Sequence, residues 1–199
     1  MTRLMAFVDG ENLTARFSAM VGAGRQPRVR ADDEIRWPVV KHGDSFVWSP
    51  ATVFGIAADH LELVRAHYYT TFVGWSDVLD EFSEWIGQQF AFRFADGGGQ
   101  RVVKSAVPLI PRVFHKTARK TRTKSVDINL CVEALEYVHR DAVDAIYLVT
   151  GDVDYLPLIE AVMRAGKRVF LAALSSGLSP RLKYGVDRFV PLDDTYFRR

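Results

Sequence analysis

The chain has 199 residues, 48% of them apolar and 25% charged, with a formal net charge of +2. That make-up fits one ordinary globular domain with room for a single substantial core. No apolar run approaches the ~18 residues that suggest a membrane span, the chain reaches Asp9 before any secretory apolar region forms, and the single Cys131 excludes an internal disulfide or a thiolate zinc cluster. We therefore expect a cytoplasmic protein, with Cys131 packed as a small hydrophobe on a helix.

In chain order, Leu4 to Val8 is a continuous apolar run of the kind found in strands covered on both faces. Gly10 permits a turn, and Asn12 to Val21 has helical periodicity. Residues 22–49 break the pattern with scattered Gly, Pro, Arg and Asp, and read as a surface insertion with a small hairpin around His42-Gly43-Asp44. Ser49-Pro50 opens a helix through His60, and Leu61 to Phe72, rich in Val, Tyr, Thr and Phe, is a central strand. Ser76 caps a helix whose apolar face is Val78, Leu79, Phe82, Trp85 and Ile86.

Phe90 to Phe94 alternates as a strand, Gly97 to Gly99 turns the chain, and Arg101 to Val107 is extended. No Lys-Ser/Thr follows the Gly triplet, which excludes a P-loop. Ser125 caps a helix from Val126 to His139; Ala145 to Val149 is a buried strand; Tyr155 to Ala165 is a helix with Pro157 in its first turn and Gly166 as its stop. Val169 to Leu174 is a strand, Pro180 opens a short helix, and Arg188 to Leu192 is an edge strand. This alternation implies right-handed parallel βαβ units within one domain over residues 1–199.

Acidic and amide side chains gather in three stretches: Asp9 to Asn12, Lys124 to Asp127, and Thr150 to Asp154. In the first and third, an apolar strand ends in a carboxylate, at the edge where open parallel sheets collect their ligands. Asp9 and Asp152 should converge there, with Asp127 brought in on a helix. Carboxylates pressed together repel one another, so the expected occupant is a hard divalent cation with oxygen ligands. Each residue also has a plain structural reading: Asp9 as a helix N-cap, Asp127 as a partner of the helix dipole, Asn12 as a turn residue, and Glu11 as a solvated side chain. Asp152 and Asp154 flank Val153, a pair able to hold a cation directly or through water.

His115 to Lys124 carries Lys116, Arg119, Lys120, Arg122 and Lys124 and no acid, leaving −3 on the rest of the chain. We expect this basic stripe, ending three residues before Asp127, to contact nucleic-acid phosphates.

The sequence resembles the NYN domain family, the PIN-like nucleases that include the LabA-like proteins of bacteria. The resemblance rests on Phe7-Val8-Asp9-Gly10-Glu11-Asn12-Leu13, on Lys124-Ser125-Val126-Asp127, and on Val149 to Leu158, and continues through Gly166 to Val169 and Ala173 to Leu192. It departs at Ser125, where the family has Gly, at Thr150, where it often has Ser, at Tyr155, where it often has Phe, and over residues 22–49. It implies a PIN-like three-layer α/β/α sandwich with a mostly parallel central sheet. It also implies a Mg²⁺ or Mn²⁺ site at Asp9, Asp127, Asp152 and Asp154, with Asn12 completing the catalytic set, and hydrolysis leaving a 5′-phosphate and a 3′-hydroxyl.

The first functional expectation is therefore a Mg²⁺- or Mn²⁺-dependent ribonuclease acting on single-stranded or structured RNA, with no membrane partner and with room for a homo-oligomer. The alternative is a non-catalytic RNA- or protein-binding regulatory module. A haloacid-dehalogenase-like phosphatase is set aside, because Asp9-Gly10-Glu11-Asn12 lacks that family's second Asp and following Thr.

Overall fold

The computed structural model describes residues 2–27, 39–42, 45–48, 61–73, 77–87, 91–96, 99–104, 107, 109–116 and 125–198. Strand β1 (Thr2–Asp9) runs straight into helix α1 (Gly10–Gly22). Strands β2 (Val39–His42) and β3 (Ser45–Trp48) form the antiparallel hairpin expected around residues 42–44. Then come β4 (Leu61–Val73), α2 (Asp77–Gly87), and a second hairpin of β5 (Ala91–Asp96) with β6 (Gly99–Lys104). Strand β7 (Leu109–Lys116) and helix α3 (Ser125–His139) lead to β8 (Ala145–Val149) and, after a single 3₁₀ turn (Val153–Tyr155), to α4 (Leu156–Arg164). The chain closes with β9 (Arg168–Ala173), α5 (Pro180–Tyr184), β10 (Arg188–Pro191) and α6 (Asp193–Tyr196). The expected helix from Ser49-Pro50 to His60 and the Ser76 cap lie outside the described residues.

Six strands form one sheet in the order β10-β9-β8-β1-β4-β7, and every neighbouring pair is parallel. The chain steps outward from β1 through β4 to β7, then returns to the other side of β1 and steps outward again. The reversal falls between β1 and β8, so a crevice opens beyond their carboxyl ends.

Side chains alternate across a strand with a period of two, and β1 divides accordingly. Leu4, Ala6 and Val8 face one layer, built on Leu13, Phe17 and Met20 of α1, Phe82 and Ile86 of α2, and Tyr196 of α6. Met5 and Phe7 face the other, built on Val126, Leu130, Ala134 and Val138 of α3, Leu158, Ile159 and Val162 of α4, and Leu182 of α5. The fold is thus the α/β/α sandwich the motifs imply, with an all-parallel central sheet. All five residues of β8 are buried; truncating one of its large side chains, as in Leu148→Ala, costs about 2–5 kcal/mol.

Two elements were not anticipated. Strand β7 carries Pro111 in its interior, which argues against a strand anywhere but at an edge, and the edge beyond β4 is where β7 lies. Helix α6 is four residues long, too short to show periodicity. Gly10 also differs from its reading as a turn residue: it is the first residue of α1, and a Cβ there would strike the ring of Tyr68. Close approach of α1 to β4, and not backbone conformation, demands glycine.

Candidate active site

Asp9 ends β1 and caps α1. One of its oxygens, Oδ1, accepts the Asn12 N–H at 2.9 Å, and Oδ2 accepts the Thr150 hydroxyl at 3.1 Å. The carboxylate is 3% exposed. Burial pushes its pKa up, the Asn12 N–H and the Thr150 hydroxyl pull it down, and the charges of Asp127 and Glu11 push it up again, to about 7. Both hydrogen-bond donors are neutral, so the charge has no cationic partner in this network.

Thr150 follows β8, and its position is fixed by its own N–H, which donates to Ala172 of β9 at 3.1 Å. Its hydroxyl donates to Asp9 and accepts the Asp152 N–H at 3.2 Å. Next to it, the Gly151 N–H donates to Asn12 Oδ1 at 3.0 Å. Asp152 caps the 3₁₀ turn, its Oδ1 accepting the Asp154 N–H at 3.0 Å. On the other side, the buried Tyr155 hydroxyl donates to Asp127 Oδ1 at 3.0 Å. Burial raises the Tyr155 pKa, and the nearby charges of Asp9 and Asp127 raise it further, so the phenol stays a donor.

Of the five residues expected at the site, Asp9 and Asp127 share one electrostatic environment, and Asn12 and Asp152 are tied to it through Gly151 and Thr150. Asp154 is exposed and is linked through its backbone. Among the described residues, no three His, Cys, Asp or Glu side chains already stand together as a ready-made metal group. The Thr150 and Tyr155 hydroxyls were given no role in advance; for Thr150, a hydroxyl on the first residue beyond a buried strand was the available signal.

The basic stripe departs from expectation at its first member. Lys116 is the last residue of β7, is 6% exposed, and is ion-paired with Glu11 at the start of α1. It ties two elements together, and Glu11 is engaged with it. The Lys116 ammonium is thus engaged within the fold. Arg119, Lys120, Arg122 and Lys124 lie outside the described residues.

Beside Asp9 in the sheet register lies Tyr69, whose hydroxyl donates to Glu133 Oε2 at 2.5 Å. Arg112 grips the same carboxylate with bonds of 2.9 and 2.6 Å. Burial pushes Glu133 up, but the Arg112 and Tyr69 hydrogen bonds outweigh it and the pKa falls below its ordinary value. His67, fully buried and stacked on Phe7 at 5.4 Å, has its pKa lowered by burial to about 4 despite Glu133 nearby. Cys131 is likewise pushed up by burial, to about 11, which leaves an unreactive thiol.

The model of the NYN domain family matches residues 3–193 of the chain. The chain belongs to the NYN domain family. This NYN domain is 30% identical over 77 residues to an uncharacterized protein of Methanocaldococcus jannaschii, a match covering 39% of this chain and 32% of that relative. The chain thus spans about a third of that curated relative. A crystal structure of a protein of unknown function from Vibrio parahaemolyticus shares the fold, with a TM-score of 0.60 and 16% identity over 99% of this chain and 96% of that one. Membership places this NYN domain in the PIN-like nuclease superfamily. Among its described residues, no helix is long and apolar enough to cross a membrane.

The donor set of this NYN domain suits a hard divalent cation. It offers carboxylate and hydroxyl oxygens, and the charge on the buried Asp9 is opposed by Asp127 and Glu11 with no cation in its hydrogen-bond network.

Proposed function

We propose that this NYN domain is a Mg²⁺- or Mn²⁺-dependent ribonuclease. The observation that carries the proposal is Asp9: a buried carboxylate at the reversal point of a parallel sheet, pressed by Asp127 and held only by neutral donors. Asp9, Asp127 and Asp152 are the residues that would hold the cation, with Asp154 as a further or water-mediated ligand. A divalent cation supplies Lewis-acid activation of water and neutralises charge on phosphoryl oxygens.

The chain's own part is positioning. Asp9 is fixed by Asn12 and Thr150, Asp127 is oriented by the Tyr155 hydroxyl, and Asp152 is drawn in through its N–H to Thr150. Asn12 keeps α1 and the loop after β8 in register. Net hydrolysis adds water across a P–O3′ bond. The second reading, a non-catalytic RNA- or protein-binding module, draws its support from the missing three-carboxylate group among the described residues.

The deciding experiment incubates purified protein with mixed cellular RNA in Mn²⁺ or in EDTA. Cleavage in Mn²⁺ alone, lost by several orders of magnitude in Asp9→Asn and Asp152→Asn, is the expected result. Undiminished cutting by both variants would sink the metal-site assignment; binding without cutting by the parent would move the module reading ahead.

A further inference from the structure

Arg16 stands one helical turn beyond Asn12 on α1, and residues four apart share a helix face. Its guanidinium lies over Gly177, in the loop after β9. A Cβ on Gly177 would fall on the guanidinium carbon and Nη1, and Gly177 has φ +68°, a conformation that favours glycine. The Gly177 carbonyl and Leu178 in turn border Gly151, the residue held by Asn12, at 3.8 Å from where a Gly151 Cβ would sit. Arg16 and Gly151 therefore border the same loop residue, Gly177, and Gly151 is held by Asn12.

The loop that carries Gly177 is itself anchored. Ser175 donates its N–H to Asp193 Oδ1 at 2.8 Å and its hydroxyl to Asp193 Oδ2 at 2.5 Å. Several arginines of the fold are ion-paired, and among the described residues Arg16 is not. Arg3 is paired with Asp144, Arg112 with Glu133, Arg140 with Glu136 and Arg164 with Glu160. The Arg16 Nε is closed off from solvent and has no hydrogen-bond partner, a costly state for a donor. Arg16 as a whole is half-buried, and a guanidinium beside this site with no carboxylate partner among the described residues fits a phosphate oxyanion, whose oxygens match the planar fork.

We propose that Arg16 binds a backbone phosphate of the RNA and so sets where the strand lies relative to Asn12 and Asp9. The proposal rests on the ribonuclease reading for the identity of its ligand. The contact is to phosphate and carries no base preference.

The test measures binding of a single-stranded oligoribonucleotide in EDTA, across a KCl series, for the parent, Arg16→Gln and Arg16→Lys. Arg16→Gln should bind about tenfold more weakly, the loss of one charge-assisted contact, with a salt slope smaller by about 0.7. Arg16→Lys should recover the slope. The melting shift produced by Mn²⁺ should be the same in all three, because the acidic site is untouched.

Equal affinity and slope in Arg16→Gln would overturn the proposal, as would failure of Arg16→Lys to recover the slope. Loss of the Mn²⁺ shift in Arg16→Gln would do the same, by showing Arg16 to be structural. If the parent binds no RNA in EDTA, inorganic phosphate tests Arg16 separately from the ribonuclease reading, which the Mn²⁺ cleavage assay decides. A phosphate-induced rise in melting temperature in the parent but not in Arg16→Gln supports a phosphate site; the same rise in both removes it.

Discussion

The Asn12 side-chain oxygen accepts the Gly151 N–H at 3.0 Å, joining residues 139 positions apart across the point where the sheet reverses. Asn12 also lends its own N–H to Asp9. One residue thus holds the end of β1 and the loop after β8 in a single frame, and its amide is engaged before any ligand arrives. The Thr150 hydroxyl links Asp9 to the loop that carries Asp152, and the first prediction concerns it.

Thr150→Val keeps the shape of the side chain but removes a donor to Asp9 and an acceptor for the Asp152 N–H. Leaving such buried groups unsatisfied costs about 1–3 kcal/mol, and the parent's RNA-cutting rate should fall with the loss of alignment. Thr150→Ser, which retains the hydroxyl, should restore both. Urea midpoints and cleavage rates check this, and a Val variant as stable and active as the parent would dismiss the relay.

Divalent ions should stabilise the folded protein. A ligand that binds only the native state contributes about 2.7 kcal/mol at a hundredfold excess over Kd, which at this length corresponds to about 5–10 °C in Tm. Mn²⁺ should produce such a rise in the parent and a much smaller one in Asp127→Asn and Asp152→Asn. Calorimetric scans with and without EDTA read it directly; no rise in the parent would mean no ion binds.

Two buried groups oppose each other in acid. Asp9, raised to about 7, takes up a proton on folding, so its contribution is full below about 4 and is lost as pH rises through 7. His67, lowered to about 4, gives one up, so its contribution is full above about 6.5 and is lost as pH falls towards 4. Without divalent ions, the parent's stability should therefore change little from these two groups between about pH 4 and 6.5. Asp9→Asn should lose stability on acidification over that window, by up to about 1.4 kcal/mol per pH unit, and His67→Phe should gain it. Denaturant midpoints at several pH values decide; parallel profiles in all three proteins would refute the opposition.

Replacing Arg119, Lys120, Arg122 and Lys124 with Gln should weaken binding of all RNAs alike and flatten the salt dependence. Lys116→Gln should instead leave the salt slope in place and lower stability, because Lys116 is buried against Glu11. An unchanged slope in the fourfold variant would leave the stripe a solvated segment.

The parts of this fold that showed in the sequence are those whose cause is local. The apolar run ending in Asp9 marks β1 and its capping carboxylate together, and Ala145 to Val149 and Gly166 mark a strand and a helix stop by composition alone. What stayed hidden depends on distant partners. Strand β7 is a strand because β4 pairs with it, despite Pro111. Lys116 looked like one more surface charge until Glu11 met it, 105 residues away in sequence. The Tyr155 hydroxyl acquires its role only when α3 brings Asp127 to it.

The order of strands has a consequence for a chain emerging from the ribosome. Asp9 and Thr150 are separated by 141 residues, so at ~5–20 residues per second roughly 7–30 s of translation pass between them. During that interval β4 can pair with one edge of β1, while the other edge waits for β8. A chain shorter than 150 residues lacks the Thr150 clasp, the Gly151 link and Asp152. The frame around Asp9 is therefore completed only once β8 and the loop after it have emerged and taken the free edge of β1.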